Sequence, residues 1–300
     1  MFVQIKIQTL RVLFYFRNNV SPAHNQRTKN LKNQRFAMNL QFYLRFHTRF
    51  GESLWISGST EVLGMNDPKK AVAMEYLNDE FWHCAIEIEK KDWPKNGVNY
   101  KYYLKNKEGQ LTCEWGFDRI ADNGHKEASE IQLIDTWNHA GEYENAFFTA
   151  PFNNVLLKHG QSKSKHKSGK HYTHTFKIKA PLVQKHEVVF LSGTGETLGN
   201  WSKDKVIQLS KEEDWWTVSL DMSGSFFPVA YKYGVFNTKE NSFTRYETGD
   251  NRLLHGDMPS HRVTILHDGF IRLPNDGWKG AGVAIPVFSL RSKKSFGVGE

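Results

Sequence analysis

The residues best suited to chemistry sit late in the chain. Trp201 follows a Leu198-Gly199-Asn200 turn, Lys232 lies in Tyr231-Lys232-Tyr233, and Tyr246-Glu247 precedes Gly249-Asp250-Asn251-Arg252. An aromatic ring beside a Gly/Asn turn is expected to be exposed rather than buried in a core. Two aromatic plates beside an ammonium, a carboxylate and an amide suit a pyranose ring. The C–H face of such a ring is apolar and packs on an aromatic face, while its edge hydroxyls take hydrogen bonds from charged and amide groups. A site of this kind binds by stacking plus a few polar contacts and needs no catalytic group. The sequence leaves open whether Tyr231 and Tyr233 belong to the plates or to the core.

Other motifs carry less. Gly193-Thr-Gly195-Glu-Thr-Leu-Gly199 resembles a dinucleotide loop, but its last interval is one residue too long and no helical pattern follows. His159, His166 and His171 lack a ligand-like partner set and are expected to be solvated. Asn200-Trp201-Ser202 is a glycosylation sequon, which matters only in a secreted protein. Cys84 and Cys113 are expected to be buried free thiols. No metal and no cofactor is expected.

Composition narrows the class. With 39% hydrophobic and 24% charged residues the chain can build ordinary cores, so wholesale disorder is excluded. No run of 18 apolar residues exists, which excludes a membrane-spanning helix, and no membrane partner is expected. The net charge of +8 is unevenly placed: residues 1–37 hold seven Lys/Arg and no acid, and Lys158–His171 holds five more lysines. Outside those stretches 28 basic residues face 32 acidic ones, so the folded part lacks the basic face of a nucleic-acid binder. Residues 1–37 read as an organellar transit peptide or as upstream sequence with Met38 the start; the abrupt onset of patterning at Met38 favours the second.

The elements that must position the candidate residues are strands. Leu40, Phe42, Leu44 and Phe46 alternate with Gln41, Tyr43, Arg45 and His47, the period of a half-buried strand. Strand-like runs follow at Leu54–Ser57, Trp82–Ile88, Asn99–Lys105 and Gln110–Trp115, separated by glycine turns, and no amphipathic helix of 12 residues is legible. This predicts an antiparallel sandwich. The chain then repeats. Leu54–Gly64 matches Val189–Gly199, Trp82 matches Trp216, Tyr100-Lys101-Tyr102 matches Tyr231-Lys232-Tyr233, and Trp115 is matched with Tyr246. A period this long means two copies of one domain rather than a solenoid. They are placed at 38–145 and 172–268, joined by a solvated connector over 146–171.

Each copy resembles a family 20 starch-binding module, through the Leu-Gly-x-Trp turn, the Tyr-Lys-aromatic strand, and the aromatic-Glu pair followed by Asp-Asn-Arg. The resemblance implies that Trp201 and Tyr246 stack on an α-glucan, that Lys232 and Asn251 bond its hydroxyls, and that Glu247 adds a polar contact. In the first copy Asn66 replaces the turn tryptophan, Lys101 and Trp115 are retained, and the segment to Asp118 looks shortened. Weaker binding, or a packing role, is expected there. Residues 277–300 resemble the opening of the amylomaltase barrel of glycoside hydrolase family 77. Together these imply an all-β chain of two tandem antiparallel, immunoglobulin-like β-sandwiches plus the stub of a (β/α)8 barrel. They also imply a parent enzyme that transfers α-1,4-glucan segments, with its catalytic carboxylates beyond Glu300, and a partner that is an α-glucan polysaccharide or maltooligosaccharide. The alternative is a non-catalytic glucan-binding protein. A cytoplasmic location is expected on either reading.

Overall fold

The computed structural model describes residues 37–116, 118–122, 128–149, 171–256 and 261–273. The basic extension, most of the connector and the expected barrel stub lie outside the described residues.

The first sandwich runs β1 (Ala37–Arg45), β2 (Ser53–Gly58), β3 (Val72–Ala73), β4 (Glu75–Tyr76), β5 (Phe81–Glu89), β6 (Val98–Lys105), β7 (Leu111–Cys113), β8 (Arg119–Ala121) and β9 (Glu130–Thr136). The second runs β10 (His174–Lys179), β11 (Glu187–Gly193), β12 (Ile207–Gln208), β13 (Ser210–Glu212), β14 (Trp215–Leu220), β15 (Val229–Asn237), β16 (Ser242–Tyr246), β17 (Arg252–Leu254) and β18 (Arg262–Phe270). In the first, the layer β4-β5-β1-β9 faces the layer β3-β2-β6-β7, with β8 beside β6. In the second, β13-β14-β10-β18 faces β12-β11-β15-β16, with β17 beside β15.

The alternation in β1 does what its period requires. Leu40, Phe42 and Leu44 are fully buried against Leu54, Ile56, Tyr100 and Tyr102. Burial of each such side chain contributes about 1.5–3 kcal/mol. Phe176, Ile178 and Phe190 play the same part in the second sandwich, and Tyr231 and Tyr233 are core residues there. Each buried tyrosine pair donates both hydroxyls to one buried carboxylate. Tyr100 and Tyr102 reach Asp135 Oδ2 at 2.9 and 2.6 Å. Tyr231 and Tyr233 reach Asp268 Oδ2 at 2.9 and 2.8 Å. The paired hydroxyls keep these carboxylates from being buried without partners.

The two copies are not beads on a connector. β9 and β18 pair in parallel, from Glu130 opposite Arg262 to Asp135 opposite His267, so the inner layers fuse into one eight-stranded sheet. Asp135 is paired not with its counterpart Asp268 but with the residue before it. A shift of one residue reverses side-chain direction. The outer layers therefore pack on opposite faces of the shared sheet, about a pseudo-twofold axis along the seam. Across the seam Arg262 pairs with Glu130, Thr264 Oγ1 donates to Gln132 Oε1 at 3.0 Å, and Arg45 lies 3.6 Å from Asp268. Tyr43 and Phe81 pack against the core of the second sandwich.

Candidate glucan-binding site

The site of the second sandwich is built on a strained turn. Glu196–Trp201 forms a tight 3-10 turn anchored by buried Leu198. Gly199, Asn200 and Trp201 then hold φ values of 73°, 48° and 61°. A Cβ on Gly199 would lie 2.3 Å from the Lys205 carbonyl oxygen, so glycine is required there. A left-handed tryptophan costs about 1–2 kcal/mol. In the first sandwich Gly64, Met65 and Asn66 repeat the conformation, at φ 77°, 55° and 61°. The backbone is retained and the ring is lost.

Tyr246 is carried by a pairing that its own strand does not reveal. It lies opposite Gly234 on β15, and the missing side chain of Gly234 admits Phe190, whose Cζ would stand 2.3 Å from a Cβ there. The Phe190 and Phe243 rings lie 5.4 and 4.9 Å from that of Tyr246. Trp201 meets Tyr246 edge to face, with centroids 6.2 Å apart and planes at 70°. Both rings are half-buried, and the Tyr246 hydroxyl is enclosed without a hydrogen-bond partner. The rings thus form one supported cluster, not the two separate solvent-facing plates expected. Lys232 Nζ donates to the Gly249 carbonyl oxygen at 2.6 Å, which sets its ammonium beside the loop bearing exposed Asn251.

Glu247 has a different position from the one expected. It is 3% exposed. Its Oε1 accepts from the Tyr233 amide at 3.0 Å and from Arg252 Nε at 2.9 Å, and its Oε2 accepts from Arg252 Nη2 at 2.9 Å. This carboxylate fastens the loop to the sandwich and does not face a ligand.

The same fastening corrects the alignment of the repeats. Glu114 Oε1 accepts from the Tyr102 amide at 3.3 Å, and Glu114 Oε2 from Arg119 Nη2 at 2.6 Å. Glu114 and Arg119 therefore correspond to Glu247 and Arg252. Cys113, not Trp115, stands at the Tyr246 position, and the loop that follows is not shortened. Cys113 is exposed rather than buried, whereas Cys84 is buried, which pushes its thiol up to about 11. Opposite Cys113 stands Tyr103, where the second sandwich has Gly234. The aromatic has moved to the other strand of the pair. Sequence reasoning missed Tyr103; the combination of a tyrosine for the glycine and a cysteine for the aromatic was the available signal. Lys101 Nζ lies 3.2 Å from Asp118 Oδ1, so these two expected site residues are together, while Trp115 points to the seam. Among the described residues no cluster of His, Cys, Asp or Glu could hold a metal ion, and no helix is long and apolar enough to cross a membrane.

Two sandwiches with this turn, this lysine strand and this Glu–Arg loop define a carbohydrate-binding module in duplicate. Residues 37–132 and 172–262 each match the family described as "Starch binding domain", CBM_20, and the chain belongs to that family. Rice (Oryza sativa subsp. japonica) has a similar protein, "4-alpha-glucanotransferase DPE2", 27% identical over 280 residues. The match covers 87% of this chain and 28% of that protein's length. Among solved structures, the family 20 module of the maltotetraose-forming amylase of Pseudomonas saccharophila STB07 is 18% identical. That match covers 31% of this chain and 97% of that one, with a TM-score of 0.26. The CBM26 domain CBMbc of Eubacterium rectale Amy13K, in complex with maltoheptaose, is 13% identical over 76% of this chain and 91% of its own, with a TM-score of 0.23.

Proposed function

We propose that the chain supplies α-1,4-glucan binding to a 4-α-glucanotransferase acting in the cytoplasm. The observation that carries the reading is the ring cluster of Trp201 and Tyr246, with Lys232 held to the Gly249 carbonyl of the loop that bears exposed Asn251. The rings take the apolar face of a glucose unit, and Lys232 and Asn251 bond its edge hydroxyls. The similarity to the rice protein named 4-alpha-glucanotransferase DPE2 supports the parent activity. A retaining transfer needs two carboxyl groups about 5–5.5 Å apart. We assign that pair to no residue of this chain. The first sandwich, with Tyr103, Lys101 and Asp118, is the weaker site. Two linked sites raise the effective concentration of a polymer that binds each one poorly.

Affinity electrophoresis through a gel containing glycogen tests the reading. The wild-type chain should be retarded, and Trp201→Ala should lose most of that retardation. Retardation should also survive added salt, since stacking on a neutral sugar releases no counterions. Equal migration of wild type and Trp201→Ala would overturn the assignment.

A further inference from the structure

The pseudo-twofold seam creates two grooves, one on each face of the shared sheet, and they are not alike. In one, Arg45 lies over Phe81 at 5.1 Å, and Leu253, Leu254 and His255 close in until a void of about 20 Å³ remains. In the other, Lys179 and Trp215 take the places of Arg45 and Phe81, and a cleft of about 680 Å³ stays open. That volume lies within the ~300–1,000 Å³ usual for small-ligand sites.

The open cleft has the makings of a sugar site. Its wall from the first sandwich carries Trp115 and Tyr143, the latter 59% exposed. Neither ring stacks on another aromatic ring or a cation among the described residues. The two rings are held on connected loops: the Trp115 amide donates to the Asn138 carbonyl oxygen at 3.0 Å, and Asn138 Nδ2 donates to the Trp115 carbonyl oxygen at 2.9 Å and to Asn145 Oδ1 at 3.1 Å. Asn145 in turn lies in the 3-10 turn Tyr143–Phe148. Asn138 and Glu144 line the cleft, and each holds a side-chain oxygen, Oδ1 and Oε2, that is shut off from solvent, accepts no hydrogen bond and reaches a ligand by rotation of its side chain. Buried acceptors of this kind call for a donor. The opposite wall holds Lys179, whose ammonium lies 5.2, 4.9 and 5.6 Å from the rings of Phe148, Trp215 and Phe270. Those three faces are occupied by the lysine, which leaves Trp115 and Tyr143 as the free ones.

Apolar plates facing unmet acceptors match a ligand with an apolar face and a rim of hydroxyl donors. We propose that the seam cleft is a further α-glucan site, in which glucose units stack on Trp115 and Tyr143 and donate hydroxyls to Asn138 and Glu144. The inference rests on the reading that this chain binds α-glucans, but on residues separate from the Trp201 site. It gives Trp115 a binding role that its place in the repeat does not, and it makes the seam between the copies part of the binding surface.

Calorimetric titration of the full 300-residue chain with maltotriose, too short to bridge distant sites, distinguishes the two sites. With the first-sandwich site removed throughout by Lys101→Ala/Tyr103→Ala, Trp201→Ala should keep a saturable site. Adding Tyr143→Ala or Trp115→Ala to Trp201→Ala should weaken that site at least tenfold, with the thermal unfolding midpoint unchanged in the Tyr143 variant because its ring is exposed. A single site abolished by Trp201→Ala alone would overturn the cleft and leave the proposed function standing. Retained affinity in the Trp201→Ala/Tyr143→Ala and Trp201→Ala/Trp115→Ala variants would likewise overturn the cleft. Absence of maltotriose and glycogen binding by wild type would overturn both.

Discussion

His267 Nδ1 lies 2.6 Å from Asp135 Oδ1, and these side chains come from different sandwiches. The same aspartate accepts from Tyr100 and Tyr102, so one carboxylate ties the first core to the seam. Burial alone would raise the Asp135 pKa. Arg119 and His267 outweigh burial and hold it at about 2. The stabilisation is therefore present above the ordinary aspartate value, near 4, and is lost as pH falls towards 2.

Asp135→Asn removes a charge facing buried Arg119. The expected loss is roughly 3–5 kcal/mol in urea denaturation at neutral pH. Because the seam makes the sandwiches one sheet, wild type should unfold in a single transition by both fluorescence and circular dichroism. A loss below about 1 kcal/mol would deny the carboxylate its structural role.

His174 gives a second pH signature at higher values. Burial, helped by Arg262 and opposed by Asp221, brings it down to about 4. Between the free-histidine value near 6.5 and about 4, the unfolded chain binds a proton that the folded chain refuses. Stability should be full above 6.5 and fall by roughly 3 kcal/mol as pH drops to 4. Urea midpoints at pH 7 and pH 4.5 check this. His174→Gln should flatten the difference, and an unchanged slope in that variant would refute the assignment.

Arg252→Met should cost about 3–5 kcal/mol, because it leaves the Glu247 carboxylate buried without its cation. Glu247 anchors the loop carrying Asn251, so retardation in a glycogen gel should weaken although no proposed stacking ring is touched. Normal stability of Arg252→Met would contradict this.

The turn permits an exchange between the copies. Trp201→Asn reproduces the residue that the first sandwich holds at the same positive φ. Relief of left-handed strain offsets lost ring packing, so stability should stay within about 1 kcal/mol of wild type, while glucan affinity falls at least tenfold. A collapse in stability would mean that the ring is structural.

Much of this architecture was legible in alternation and repetition. The period of two in residues 39–47 places Leu40, Phe42 and Leu44 in the core, where they are. The same pattern assigns Tyr43 and Arg45 to solvent, and there it failed. A period separates two faces but does not say what covers the second one, and here the other sandwich does. The misplacement of Trp115 has a similar cause. Aromatic character matches Trp115 with Tyr246, whereas the physical unit the two copies share is the buried Glu–Arg pair, which fixes the register of the loop around it. Aromatics on a binding face can migrate between strands, as Tyr103 and Tyr246 have done, but a buried charge must keep its partner.

The parallel pairing of β9 with β18 also governs how the protein can be divided. Each of these strands closes the open flank of the other's layer. A fragment cut within the connector would leave β9 with a row of bare amides and carbonyls along an apolar stretch that includes Ile131 and Leu133. Such a flank recruits strands from other chains. Half-molecules are therefore expected to self-associate rather than behave as independent monomers, and the tandem is the smallest piece whose flanks are already occupied at its centre.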